Sequence, residues 1–220
     1  MKLVLASGSQ RRRELLTMCG YDYEIIVSNA DETIDENDPE SFVRALSFRK
    51  AKEVFDRLFA AGRRDFAVIG SDTVVAFQKE GEAKPVILGK PKDAKDAVRI
   101  LSMLSGKTHR VFTGVSVIAD IPDENAAAQC SIREKAEIQT ECSITEVTFE
   151  TLSPGEITDY VNSGDPLDKA GSYGIQGPFG MFVREIRGNY FTVIGMPIPV
   201  LYKMLKKIGI LPHGFYERIE

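Results

Sequence analysis

Phe66-Ala67-Val68-Ile69-Gly70-Ser71-Asp72-Thr73-Val74-Val75 is the stretch that decides how this chain of 220 residues is read. An apolar run ends in Gly-Ser, an acid follows, and a β-branched run starts at once. A short apolar run bounded by turn formers predicts a buried strand. Asp72 is therefore expected where a core strand opens at its end. A carboxylate flanked by Val and Ile is costly unless a cation meets it. The position is either a turn aspartate or a metal ligand or general base, and the rest of the chain favours the second.

Upstream, Leu3 to Ala6 predict a strand, Ser7-Gly8-Ser9 a turn, and Gln10 to Cys19 a helix that Ser9 can cap and Gly20 can stop. Strand, small-residue turn and helix together aim backbone N–H groups at an anion. Arg11, Arg12 and Arg13 occupy the first helical turn, where the helix dipole disfavours cations. An incoming polyanion would remove that conflict. Tyr23 to Val27 predict a second strand, followed by an acidic loop carrying Asp31 and Glu32. That loop is either a solvated one or, near phosphates, a recruiter of a divalent cation. Asp38 and Pro39 open a helix to about Ala61, with Phe42, Leu46, Val54, Phe55 and Leu58 on or near its apolar face. Taken alone, Lys50 and Lys52 read as solvent-facing lysines.

Downstream, Val74 to Phe77 and Val86 to Leu88 predict a hairpin across residues 79–82. Lys90 follows in a tight Gly-Lys-Pro loop, suited to a phosphate oxygen. Asp93 caps a helix from Ala94 to Leu104, and His109 to Ala119 are β-rich. Residues 120–136 read as an exposed hairpin excursion. A strand from Ile138 to Glu150 pairs back, its apolar parity change suggesting a bulge near Glu146. Ser153 to Glu156 form a capping box for a helix ending at Gly164. The loop Gly164 to Gly177 holds four glycines, Lys169 and Gln176, a composition that lets backbone approach a ligand closely. Phe182 to Ile186 and Tyr190 to Ile194 predict another hairpin. Pro197 opens a last helix to Ile208, stopped by Gly209.

Bulk properties narrow the classes. With 43% hydrophobic residues the chain can form one domain or two small lobes around a core. A net charge of -4 argues against broad nucleic-acid or membrane-surface binding. No apolar run is long enough to span a membrane, and the N-terminus reads as a strand instead of a signal peptide. Cys19, Cys130 and Cys142 make neither a zinc pattern nor a disulfide framework, so a reducing cytoplasm is the expected setting. His109 and His213 cannot build a histidine metal cluster. No Walker A, GxGxxG or GxSxG pattern occurs. What remains is a set of separated cations, Arg11, Arg12, Lys50, Lys90 and Lys169, with the acids Glu32 and Asp72. Such a set suits a polyphosphate bridged by Mg²⁺ or Mn²⁺, with a carboxylate orienting water for in-line attack. The Gln176 amide can read a base edge.

Five segments taken together resemble the Maf family: Ala6 to Leu16, Gly70 to Val75, Leu88 to Pro91, Leu104 to His109 and Asp168 to Gly177. The resemblance runs from residue 3 to about 205 in the family's motif order. It implies an α/β fold similar to the inosine triphosphatase-like enzymes, a long bent mixed sheet flanked by helices, with a cleft between two lobes of one domain. It also implies house-cleaning hydrolysis of a nucleoside triphosphate between the α- and β-phosphates, with a divalent metal. By motif, Asp72 is the catalytic acid, as base or metal ligand, with Glu32 assisting metal or water. Ser7, Arg11, Arg12, Lys50, Lys90 and Lys169 hold phosphates, and Lys90 is counted with the catalytic set. Arg12, Thr73 and Gln176 match the dTTP/UTP pyrophosphatase branch, because the 7-methyl-GTP branch typically has Gln after the catalytic Asp. Gln10 and Asp165 depart from the usual Pro and Glu. Action on other nucleotides, and a nucleotide-responsive regulator of septum formation, are the competing readings. Asp72→Asn separates an enzyme from a regulator, and a homodimer is left open.

Overall fold

The computed structural model describes residues 1–121 and 136–214. Phe66–Phe77 is one strand of 12 residues, β3, and does not stop before Asp72. Asp72 lies inside it, opposite Gly114 of β5 (Thr108–Asp120). The expected opening exists, but the neighbours make it. On the edge of β3 away from β5, β1 (Lys2–Leu5) pairs with Phe66 to Ile69 and β4 (Val86–Leu88) pairs with Val75 to Phe77. Between them, residues 70–74 have no strand partner on that edge. The sheet splits there, and Asp72 stands in the split.

Gly70 is consequently not a turn former. A Cβ on it would fall 2.1 Å from the Ser47 carbonyl oxygen, and one on Gly114 would fall 2.1 Å from that of Val43. Both carbonyls belong to α2 (Pro39–Ala60), capped by Asp38 as expected. The two glycines let the α2 backbone lie directly on the sheet. Its buried face includes Val43, Leu46, Ser47, Ala51 and Val54, so small residues take the closest positions.

The sheet has seven strands in the order β2-β1-β3-β5-β6-β7, where β2 is Glu24–Ile25, β6 is Ala136–Phe149 and β7 is Val183–Arg187, with β4 on the far part of β3. β1 and β2 run parallel, as do β1 and β3, and the other pairs are antiparallel. Alternation along β3 feeds both faces. Val68 and Val74 pack in the clusters under α2. Ala67 and Ile69 meet α1 (Gln10–Met18) and α6 (Ile198–Lys207) on the other face, and Val75 meets α3 (Ala94–Leu104) and α4 (Pro154–Asn162).

Three further expectations are corrected. Tyr190–Ile194 is a short helix, α5, not a strand. Asn189 caps it by accepting from the Phe191 N–H at 2.8 Å, Gly195 ends it at φ 109°, and burial of Thr192 and Ile194 overrides β propensity. There is no bulge near Glu146: β5 and β6 pair in unbroken register from Thr108 opposite Thr148 to Asp120 opposite Ala136, and the irregularity is at Thr148/Phe149 against β7. The parity changes because the two faces are covered by different helices: Cys142 packs in the Phe112 and Val43 cluster and Val147 in that of α3 and α4. The second strand is only two residues long. Ser9 does occupy the N-cap of α1 as expected, but its side chain makes no cap bond. The hairpin expected over 120–136 lies almost wholly outside the described residues.

Candidate functional site

A cleft of about 1240 Å³ opens at the split in the sheet. Ser7, Arg11, Arg12, Glu32, Lys50, Asp72, Thr73, Lys90, Lys169 and Gln176 all line it. These are the ten positions singled out in the sequence, and the fold brings every one of them to a single cavity. They come from the β1–α1 turn, α1, the acidic loop, α2, β3, the loop after β4 and the glycine-rich loop.

Alternation in β3 divides the floor. Asp72 points to the α2 side, where the Lys50 ammonium donates to its Oδ1 at 2.7 Å. The same Nζ lies 3.0 Å from Glu32 Oε1. The side chains of Lys50 and Asp72 are 12% and 13% exposed, against 66% for Glu32. Lys50 is thus the cation that the half-buried carboxylate demanded, and not a solvent-facing lysine. Lys52 is exposed and paired with Asp56. Gly70 and Gly114 are the reason for this meeting, since they seat α2 on the sheet at Val43, Ser47 and Ala51, before and just after Lys50.

Thr73 points the other way, toward Arg12. The Arg12 guanidinium donates from Nε to the Gly195 carbonyl at 2.8 Å, from Nη1 to Ser7 Oγ at 3.1 Å and from Nη2 to Thr73 Oγ1 at 3.4 Å. Burial lowers the Arg12 pKa from its ordinary value, while the Asp72 charge opposes the shift. Ser71 Oγ also reaches the Gly195 carbonyl, at 3.0 Å.

The glycine-rich loop forms short 3-10 turns over Asp165–Asp168 and Ala170–Ser172. Lys169 is held at the cleft wall by the carboxylates of Asp165 at 3.0 Å and Asp168 at 2.7 Å. Its stem crosses the space that a Cβ on Gly174 would fill, 2.6 Å from Lys169 Cε. Asp168 also faces Arg11 at 3.7 Å. Burial would raise the Asp168 carboxyl, but the hydrogen bond from Lys169 and the charges of Lys169 and Arg11 outweigh it and hold it below its ordinary value. Asp165 further accepts from the Tyr160 hydroxyl, which accepts the Gly174 N–H at 3.0 Å. Lys90 and Gln176 are exposed on the cleft rim.

Sequence reasoning missed three contributors. Asp168 was visible only as half of an Asp-Lys pair. The Gly195 carbonyl carries no side-chain signal at all. Thr113 did carry one: a lone polar residue inside the apolar run Val111 to Val115.

Chemically, the arrangement offers several cations on facing walls and a compensated carboxylate on the floor, a fit for a polyanion with a reacting centre above Asp72. The solved structure of the Staphylococcus aureus Ham1 protein is similar, with a TM-score of 0.51 at 14% identity over 94% of this chain and all of that one. That likeness is one of fold and bears out the expected inosine triphosphatase-like architecture. Curated relatives named dTTP/UTP pyrophosphatase include one from Agathobacter rectalis, 41% identical over 95% of this chain and 98% of its own length. Others, from Bacillus thuringiensis subsp. konkukian and Bacillus anthracis, are each 43% identical over 95% of this chain and 96% of theirs. The family described as Maf-like protein matches residues 2–208, and the chain therefore belongs to the Maf family.

Proposed function

We propose that this protein is a nucleoside triphosphate pyrophosphatase that hydrolyses dTTP and UTP to the monophosphate and pyrophosphate. The observation that carries the reading is the half-buried Asp72–Lys50 pair on the floor of a cation-lined cleft, in a chain so similar throughout to proteins bearing that name. In this reading one domain of two lobes closes around the cleft. Arg11, Arg12, Lys50, Lys90 and Lys169 hold the phosphate oxygens with Ser7, and Gln176 reads the base. Asp72 orients a water and takes its proton as the water oxygen bonds to the α-phosphorus. The α–β bridging bond then breaks and pyrophosphate leaves.

Among the described residues no three of His, Cys, Asp and Glu converge as a metal site. Glu32 and Asp72 nevertheless converge on one point, the Lys50 ammonium. Mg²⁺ commonly takes one or two carboxylates together with substrate phosphates, so this donor pair fits it once the Lys50 ammonium leaves that point for a phosphate oxygen. Glu32 and Asp72 would hold the ion, which when bound supplies charge neutralisation at the phosphates. No helix among the described residues is long and apolar enough to cross a membrane, and we propose the cytoplasm as the setting.

The test is pyrophosphate release from dTTP, UTP, CTP and 7-methyl-GTP with Mg²⁺ and then Mn²⁺. Preference for dTTP and UTP is expected, with Asp72→Asn losing roughly a thousandfold or more in turnover while still binding nucleotide. Turnover of 7-methyl-GTP alone would overturn the substrate assignment. A folded, metal-loaded protein that hydrolyses nothing would overturn the enzyme.

A further inference from the structure

Behind Arg12 runs a chain of hydroxyls whose direction can be worked out from proton counting. Thr113 Oγ1 lies 2.7 Å from the Thr192 carbonyl oxygen, which can only accept. The single Thr113 proton is therefore spent on Thr192. Thr73 Oγ1 lies 3.0 Å from Thr113 Oγ1, so in that bond Thr73 must be the donor. With its own proton committed inward, Thr73 can present only lone pairs to the cleft, and Arg12 Nη2 is the donor that meets them at 3.4 Å. The order Arg12 to Thr73 to Thr113 to Thr192 thus has one direction.

We infer that Thr113 is a positioning residue for Arg12. It lies fully buried on β5, is absent from the cleft lining, and acts by fixing which way the Thr73 hydroxyl points. The same device ties Arg12 to α5 twice. Its Nη2 reaches the Thr192 carbonyl through the two threonines, and its Nε bonds the Gly195 carbonyl at the end of the same helix. A guanidinium fixed on three sides presents its remaining N–H groups in one orientation, which a planar donor needs for recognising phosphate. Without the Thr113 oxygen, the Thr73 proton is free to turn toward the cleft and face the Arg12 N–H, donor against donor.

The inference rests on reading Arg12 as a substrate-holding cation, so the test has two independent arms. In the free protein, the Arg12 Nε–H resonance should shift and exchange faster with solvent in Thr113→Val, and return to its wild-type position in Thr113→Ser, which restores the hydroxyl. An unmoved resonance in a folded Thr113→Val protein overturns the inference. Should that variant fail to fold, Thr73→Val cuts the same chain one link nearer the cleft and is judged by the same resonance. In the kinetic arm, Thr113→Val should raise the dTTP KM about tenfold with kcat changed far less, the loss expected when a charged group loses its hydrogen-bonded orientation. On an Arg12→Ala background the same substitution should change nothing further. Equal losses on both backgrounds would overturn the inference. Absence of turnover in the wild type would instead overturn the proposed reaction and leave the resonance test standing.

Discussion

His109 shows how much one buried ring can decide without touching the cleft. It is 2% exposed, edge-on to Phe149 and Tyr173, with Nε2 3.0 Å from the Tyr173 hydroxyl. Burial lowers its pKa from 6.5 to about 3. The folded ring is therefore neutral at pH values where the unfolded chain's ring has already taken a proton. Its contribution to stability is complete above 6.5 and is lost as pH falls toward about 3, where the folded ring protonates and the loss ends. Within that window the expected loss is about 1.4 kcal/mol per pH unit. Urea midpoints taken near pH 7 and near pH 5 should differ less in His109→Gln than in wild type. An equal difference in both would mean that the folded ring is charged. At this scale the sequence was most legible where a side chain contradicted its surroundings. Asp72 inside a β-branched run demanded a cation, and Lys50 is that cation. Backbone groups such as the Gly195 carbonyl announce nothing, because a glycine code says only that a Cβ is missing.

The elements were legible where capping chemistry is local. Asp38, Asp93 and Ser153 cap the helices they were expected to cap, and Gly62, Gly106 and Gly164 follow helix ends with positive φ. Reading failed where distant packing decides. Tyr190 to Ile194 is β-branched and aromatic yet helical, and Gly70 reads as a turn although it is a docking surface for α2. That docking has a measurable consequence. A Cβ at Gly114 would meet the Val43 carbonyl at 2.1 Å and the Ser47 hydroxyl at 3.0 Å, so α2 must retreat from the sheet. Gly114→Ala should destabilise the protein by about 1–3 kcal/mol or more in denaturant unfolding. Because Lys50 rides on α2, pyrophosphate release should fall as well, even under conditions where the variant is fully folded. Full activity in the folded variant would show that Lys50 reaches Asp72 independently of the Gly70–Gly114 seat.

For the whole molecule, the order of motifs along the chain announced a single cleft, and the ten singled-out residues do meet there. The split that creates the cleft was not legible, because it depends on where β1 ends and β4 begins along another strand. Six cations line that cleft beside five carboxylates, Glu14, Glu32, Asp72, Asp165 and Asp168, and three of the cations are already paired: Lys50 with Asp72 and Glu32, Lys169 with Asp165 and Asp168, and Arg11 with Asp168. Such a cavity is nearly self-neutralised and projects little field into solvent. A charged nucleotide would then arrive by ordinary diffusion and be recognised only on contact, by exchanging partners with resident acids. Ionic strength acts on long-range attraction far more than on short, desolvated contacts. Raising salt from roughly 50 to 500 mM should therefore change kcat/KM for dTTP by less than about threefold. A steep fall would mean that the resident carboxylates leave the field of the cations largely uncancelled. On this account the enzyme is built to hold its substrate instead of fetching it.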